Sequence, residues 1–152
     1  MLTVDDLIAI EEIKQLKARY FRSVDTMDME SWLNCFTDDA DLAFDLSVRS
    51  AKDQEVETAR FSGKADLEGW WNGLSRKQTV HHGHMPEITI LSNREATGIW
   101  AMEDIVEFSD GLLWGYGHYH ETYRRVDSQW KIATLHLTRT RVSHTKRDTS
   151  FL

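Results

Sequence analysis

Cysteine is almost missing from this chain: Cys35 is the only one in 152 residues. No intrachain disulfide can form, and no zinc site built on cysteine is available. Proline is equally scarce, with Pro86 alone, and there is no internal repeat, linker or low-complexity segment. No G-x-G-x-x-G run marks a dinucleotide site. No apolar run approaches the ~20 residues that a membrane span needs. The opening Met1-Leu2-Thr3-Val4-Asp5-Asp6 has neither the basic nor the apolar region of a secretory leader, so the expected location is cytoplasmic. Basic runs are lacking too. With a formal charge of −7, the chain is not expected to bind nucleic acid. The mildly basic stretch 139–147 is interrupted by serine, threonine and His144, and reads as a solvated terminal segment.

What remains is ordinary globular material, 41% hydrophobic and 28% charged, of a length that suits one domain with a substantial core. The expected division is a domain over 1–144 and a tail over 145–152. Six tryptophans, six phenylalanines and four tyrosines are generous for this size. They suit an aromatic pocket or simple packing.

Three of the seven histidines, His81, His82 and His84, fall within four positions, ahead of Pro86 and a β-branched run to Ile90. Histidine exchanges a proton near neutral pH, so the cluster invites a catalytic reading. The plainer alternative is a strand start whose histidines satisfy local hydrogen bonds.

The order of elements is legible. Thr3 and Asp6 form a capping-box pattern. After it Ile10, Ile13, Leu16, Tyr20 and Val24 recur at three and four, predicting a helix of about six turns with Lys14, Lys17 and Arg22 off its apolar stripe. Asp25 falls near the C-terminus of that helix, where the macrodipole disfavours an anion, so it needs a partner, a purpose or solvent. Asp28 reads as the N-cap of a short helix over 29–36 that buries Trp32, Leu33 and Phe36. Residues 40–46 alternate as a strand, with Leu42, Phe44 and Leu46 on one face. Within the ambiguous stretch 47–62, residues 56–61 suit a short strand. Gly63 introduces a helix carrying Leu67, Trp70, Trp71 and Leu74. Four long strands follow, over 79–91, 96–108, 112–126 and 130–142, joined by short polar turns that favour antiparallel pairing. Helices first and strands later predict an α+β fold.

Side chains alternate faces along a strand, so parity locates polar groups. In 96–108 the even face reads Trp100, Met102, Asp104, Val106, Phe108, leaving Asp104 as a lone carboxylate among apolar groups. A buried, unpaired carboxylate costs several kcal/mol. In the last strand Ala133, Leu135 and Leu137 lead to Arg139. The two could be a structural ion pair or the polar fittings of a ligand cavity. His118 and His120 share a face with Trp114 and Tyr116, opposite Tyr119, Glu121 and Tyr123. A metal site from both histidines and Glu121 is disfavoured by that opposition. For the histidine cluster, parity groups His82 and His84 with Val80, Ile88 and Ile90 and sets His81 opposite. Gly83 and Pro86 make a bulge possible, and a bulge reverses the relation. Periodicity therefore does not choose among the three.

Several segments together resemble a known family. They are Ile10-Glu11-Glu12-Ile13-Lys14-Gln15-Leu16-Lys17, Tyr20-Phe21-Arg22-Ser23-Val24-Asp25, the Trp32-x-x-x-Phe36-Thr37-Asp38-Asp39-Ala40 run and the His81 to Ile90 block. They continue with Ala96-Thr97-Gly98-Ile99-Trp100, Glu103-Asp104, Gln129-Trp130 and Arg139. This pattern is similar to the SnoaL-like (NTF2-like) cone-shaped α+β barrels and, within them, to the bile acid 7α-dehydratases. The resemblance spans nearly the whole chain and is weakest over 46–78 and beyond Arg141. The strand from Leu112 departs from it, carrying aromatics and histidines where a Gly-rich segment is expected, and the chain ends sooner.

By local motif the resemblance places functional residues at Tyr20, Asp25, His81, Asp104 and Arg139. It implies His81 as general base, Asp25 as the holder of its tautomer, and Tyr20 as donor to a developing enolate oxygen. Asp104 and Arg139 would orient substrate or assist as acid and anchor. The implied activity is dehydration, without metal or other cofactor, of a hydrophobic polycyclic compound such as a 3-oxo steroid or bile acid, free or as a CoA ester. A homodimer or homotrimer is implied. The alternatives are a ketosteroid or polyketide isomerase or cyclase, a non-catalytic ligand-binding or assembly domain, and the small subunit of a ring-hydroxylating oxygenase.

Overall fold

The computed structural model describes residues 1–48 and 55–146. Helix α1 runs Val4–Asp25 behind a complete capping box, in which Thr3 accepts from the Asp6 amide and the Asp6 carboxylate accepts from Thr3. The short α2 spans Met29–Leu33 and is capped by the Asp28 side chain. It stops before its expected end because Phe36 already opens strand β1, Phe36–Asp45. Next come β2, Thr58–Ser62, and α3, Gly63–Gly73. The four long strands are β3, Arg76–Ile90; β4, Glu95–Phe108; β5, Gly111–Val126; and β6, Gln129–Lys146.

All six strands form one curved sheet in the order β2-β1-β6-β5-β4-β3. Every joint is antiparallel except β1 against β6, which is parallel. That joint pairs the first strand after the helices with the last strand of the meander, and α1 and α3 share the core on one face. Ile13, Leu16, Tyr20 and Val24 of α1 are buried there with Trp32, Leu42, Trp71, Trp100, Tyr119, Tyr123 and Leu137. The expectation for Lys17 is corrected: it is fully buried. It lies one residue after Leu16 and three before Tyr20, so it belongs to the helix's inner stripe.

The stretch 139–146 is not a loose terminal segment but a strand paired along β5, with Thr140, Arg141, His144, Thr145 and Lys146 exposed. Of the tail expected over 145–152, residues 145 and 146 belong to β6 and 147–152 lie outside the described residues. Part of the ambiguous stretch, residues 49–54, likewise lies outside them. No helix among the described residues is long and apolar enough to cross a membrane.

The bulge in β3 is present. The pairing with β4 slips between His84 and Glu87, where Met85 takes φ +37°. Before the bulge the odd residues face the helices, and after it Ile88 and Ile90 do. Gly83 shows which face is inward: a Cβ there would stand 2.5 Å from the Phe21 ring of α1. His81 therefore points in, and the exposed His82 and His84 point out.

Candidate active site

The site is assembled by α1 and by neighbouring strands in register. Asp25, the last residue of α1, meets β3 at Thr79 and His81. Its carboxylate accepts from His81 Nδ1 at 2.7 Å, from the His81 backbone N–H at 2.9 Å and from the Thr79 hydroxyl at 2.9 Å. These bonds answer the unfavourable position of an anion at a helix C-terminus. Burial alone would raise the Asp25 carboxyl. The hydrogen bonds and charge of His81, with the Thr79 hydroxyl, outweigh it and hold the group below its ordinary value of 3.8. An ionised carboxylate can only accept, so Asp25 keeps a proton on Nδ1, and in the neutral imidazole the lone pair is on Nε2. Phe21 stacks on the imidazole, with ring centroids 6.3 Å apart and planes within 15°.

Asp104 stands directly across from His81 in the β3–β4 register, on the same inward face. It is 3% exposed and held in a two-pronged fork by Arg139, with Nη1 to Oδ1 at 2.7 Å and Nη2 to Oδ2 at 2.8 Å. To make that fork the arginine of β6 must pass over β5. It does so at Gly115, where a Cβ would lie 2.3 Å from both Arg139 Nη1 and Asp104 Oδ1. Arg139 Nε also reaches the Asp45 carbonyl, which ties the pair to the end of β1.

These groups share a mostly apolar cavity of about 210 Å³. Tyr20, Thr79, His81, Asp104, Tyr119 and Arg139 form its polar side, and Val24, Trp32, Phe44, Trp70, Val106 and Leu137 are among its apolar walls. Of the five residues singled out from the sequence, four line this cavity and Asp25 supports one of them through hydrogen bonds. Tyr20 is buried, and its phenol is pushed up first by burial and then by the charge of Glu121. It is therefore a neutral hydrogen-bond donor at ordinary pH.

Tyr119 was not anticipated. It lines the same cavity from β5, and its phenol is also raised, chiefly by burial. Its signal was present in parity, since it shares the inward face with Glu121 and Tyr123. Beneath the two tyrosines lies a second unanticipated feature. The Lys17 ammonium is paired with Glu121, and both side chains are fully shielded from solvent. It sits 3.7 Å from the centroid of Tyr119, 4.0 Å from that of Tyr20 and 4.8 Å from that of Phe21. Burial pushes the lysine's pKa down and Glu121 opposes that push. Glu121 also accepts from the Tyr123 hydroxyl, which in turn accepts from Trp100 Nε1 at 2.8 Å. Glu121 is thereby turned inward, away from the histidines of its own strand.

A curved sheet closed by N-terminal helices, with polar groups converging in an apolar pocket, defines an NTF2-like α+β barrel. The chain belongs to the SnoaL-like domain family, whose pattern matches residues 5–136. Three solved structures illustrate the likeness. A protein from Novosphingobium aromaticivorans, provisionally named a scytalone dehydratase, is 19% identical over 97% of this chain and 94% of its own, with a TM-score of 0.81. The hexachlorocyclohexane dehydrochlorinase LinA-type3 from Novosphingobium barchaimii is 16% identical over 93% of each chain, with a TM-score of 0.75. The β subunit of a provisionally named aromatic-ring-hydroxylating dioxygenase from Novosphingobium aromaticivorans is 14% identical over 90% of this chain and 92% of that one, with a TM-score of 0.75. At such identities the likeness speaks for the fold alone.

Proposed function

We propose that this protein is a cofactor-independent lyase that eliminates water from a hydrophobic, ring-containing substrate bearing a carbonyl, in the manner of the bile acid 7α-dehydratases. The observation that carries the reading is the Asp25–His81 pair, with Nδ1 bound and Nε2 left for the cavity. His81 Nε2 takes a proton activated by the carbonyl, directly or through a conjugated double bond, from the carbon beside the one that bears the leaving hydroxyl. Asp25 holds the tautomer and stabilises the imidazolium that forms. Tyr20, kept protonated by burial, donates to the enolate oxygen as charge develops there. The C–O bond to the leaving hydroxyl then breaks, and the proton on His81 departs with it as water. Asp104 and Arg139 occupy each other, so their part is to orient substrate, with one Nη2 hydrogen of Arg139 outside the fork. The convergence of Tyr20, His81, Asp104 and Arg139 on one cavity favours this reading over an oxygenase subunit, which has no need of such a set.

The cavity of about 210 Å³ is smaller than the roughly 300–1,000 Å³ of pockets that enclose drug-sized ligands. The reacting ring would sit inside, with the remainder of a 3-oxo steroid, bile acid or CoA ester at the rim formed by the partly exposed Leu46, Phe108 and Leu113. A cytoplasmic homodimer or homotrimer is part of the proposal.

A thermal-shift screen against 3-oxo steroids, their CoA esters, hydroxylated bile acids and smaller polycyclic ketones tests it, with product analysis of each stabilising compound. Stabilisation with loss of water supports the reading. Isomerised product with no loss of water would move it to a ketosteroid isomerase, and stabilisation without turnover would move it to a binding domain.

A further inference from the structure

The bulge that turns His81 inward leaves His82 and His84 side by side on the outer face of β3, two residues apart. Across the β3–β4 register His82 is paired with Glu103, which projects outward from β4. The three side chains bring one ligand atom each to within 4.8 Å of one another. The two imidazole centroids are 6.2 Å apart. Four-coordinate zinc with bonds of about 2.0–2.2 Å holds neighbouring ligand atoms roughly 3.4 Å apart. Both histidines are exposed, so a bound ion would draw the three ligand atoms together by side-chain rotation. The Glu103 carboxylate is already oriented, because Trp114 Nε1 of β5 donates to its Oε1 at 2.7 Å. Tyr116, which faces Glu103 across the β4–β5 register, also hydrogen-bonds this carboxylate, so a bound metal would take a carboxylate held by two outer partners.

We propose that His82, His84 and Glu103 form a binding site for a divalent transition metal of the zinc, nickel or copper class, on the face of the sheet opposite the catalytic cavity. Two neutral imidazoles and one carboxylate suit these borderline cations and discriminate against magnesium and calcium, which take all-oxygen shells. The remaining coordination positions take water or a group from a second molecule. The site is separate from the acid–base chemistry: its ligands leave the strand on the opposite side from His81. It does clamp the stretch 82–84, whose middle residue, Gly83, packs on Phe21 and so on the ring that stacks against His81. Metal binding stabilises the folded chain by mass action.

The test is calorimetric titration of the full chain, freed of any affinity tag, with zinc chloride and separately with magnesium chloride. Circular dichroism of each variant checks its fold. One zinc per chain and no magnesium is expected. H82A and H84A should each abolish the saturable zinc isotherm. W114F should weaken binding by about tenfold, the usual lower bound for losing an orienting partner. A variant lacking both His118 and His120, the other histidine pair on the outer face, should bind as the parent does. No zinc isotherm in the parent, or an isotherm that survives H82A and H84A and vanishes with the His118/His120 pair, overturns the assignment. None of these outcomes depends on turnover, so the site stands or falls apart from the proposed lyase.

Discussion

Lysine 17 offers the sharpest test of how this core is built. Its ammonium and the Glu121 carboxylate are fully shielded, flanked by three aromatic faces and the Tyr123 hydroxyl. Replacing Lys17 by Met keeps most of the length of the side chain and an apolar stem, but strands a buried carboxylate with the Tyr123 phenol to answer it. Breaking a buried pair in this way costs about 3–5 kcal/mol. For a domain of this size each kcal/mol shifts Tm by roughly 2–4 °C, so K17M should melt about 6–20 °C below the parent. Replacing both partners behaves differently, because no uncompensated charge remains. K17M with E121Q keeps an acceptor for Tyr123 and should recover most of the loss. Thermal melts followed by circular dichroism at neutral pH, with urea unfolding of the same four proteins, give the double-mutant cycle. A K17M melt indistinguishable from the parent, or a double variant less stable than either single one, would refute the argument.

Four further predictions follow from the site. H81A and D25N should each lower turnover of a competent substrate by about 10²–10⁴-fold, the usual contribution of a positioned base, while leaving the far-ultraviolet spectrum unchanged; parental turnover in both would sink the mechanism. The stability that Asp25 contributes should be complete above its unfolded value of 3.8 and lost as pH falls through its lower folded value. Urea unfolding of the parent and D25N from about pH 6 to pH 3 should therefore show their difference shrinking with acid, and a constant difference would count against it. G115A drives a methyl into the Asp104–Arg139 fork and should cost about 1–3 kcal/mol by overpacking. G69A in α3, where a Cβ meets nothing within 4 Å, should instead gain about 0.5–1 kcal/mol, so a matching pair of Tm values would contradict both. Y20F should lower kcat by about 10²–10³-fold if its hydroxyl serves the oxyanion, with KM little changed.

The sequence by itself determined the parts and much of their inventory. Thr3 and Asp6 announced the start of α1 because a capping box is a local device, and the inward face of β4 could be read because strand parity is a local rule. Parity likewise isolated Asp104 and Arg139 as polar groups on apolar faces, leaving open whether they met. Four things were decided only in three dimensions. The Met85–Pro86 bulge turned His81 inward and left His82 and His84 outside, which periodicity does not decide, because one extra residue reverses which side chains face in. Register across three strands joined Asp104 to Arg139, and it needed a bare backbone at Gly115 between them. The stripe of apolar residues leaves Lys17 out, and only the opposing Glu121, 104 residues away, makes its burial tolerable. The parallel joint of β1 and β6 was invisible because no turn connects those strands. Local rules fix which way a side chain leaves its own element. Which element it then meets depends on how the sheet closes, and that lies in the pairing of distant residues.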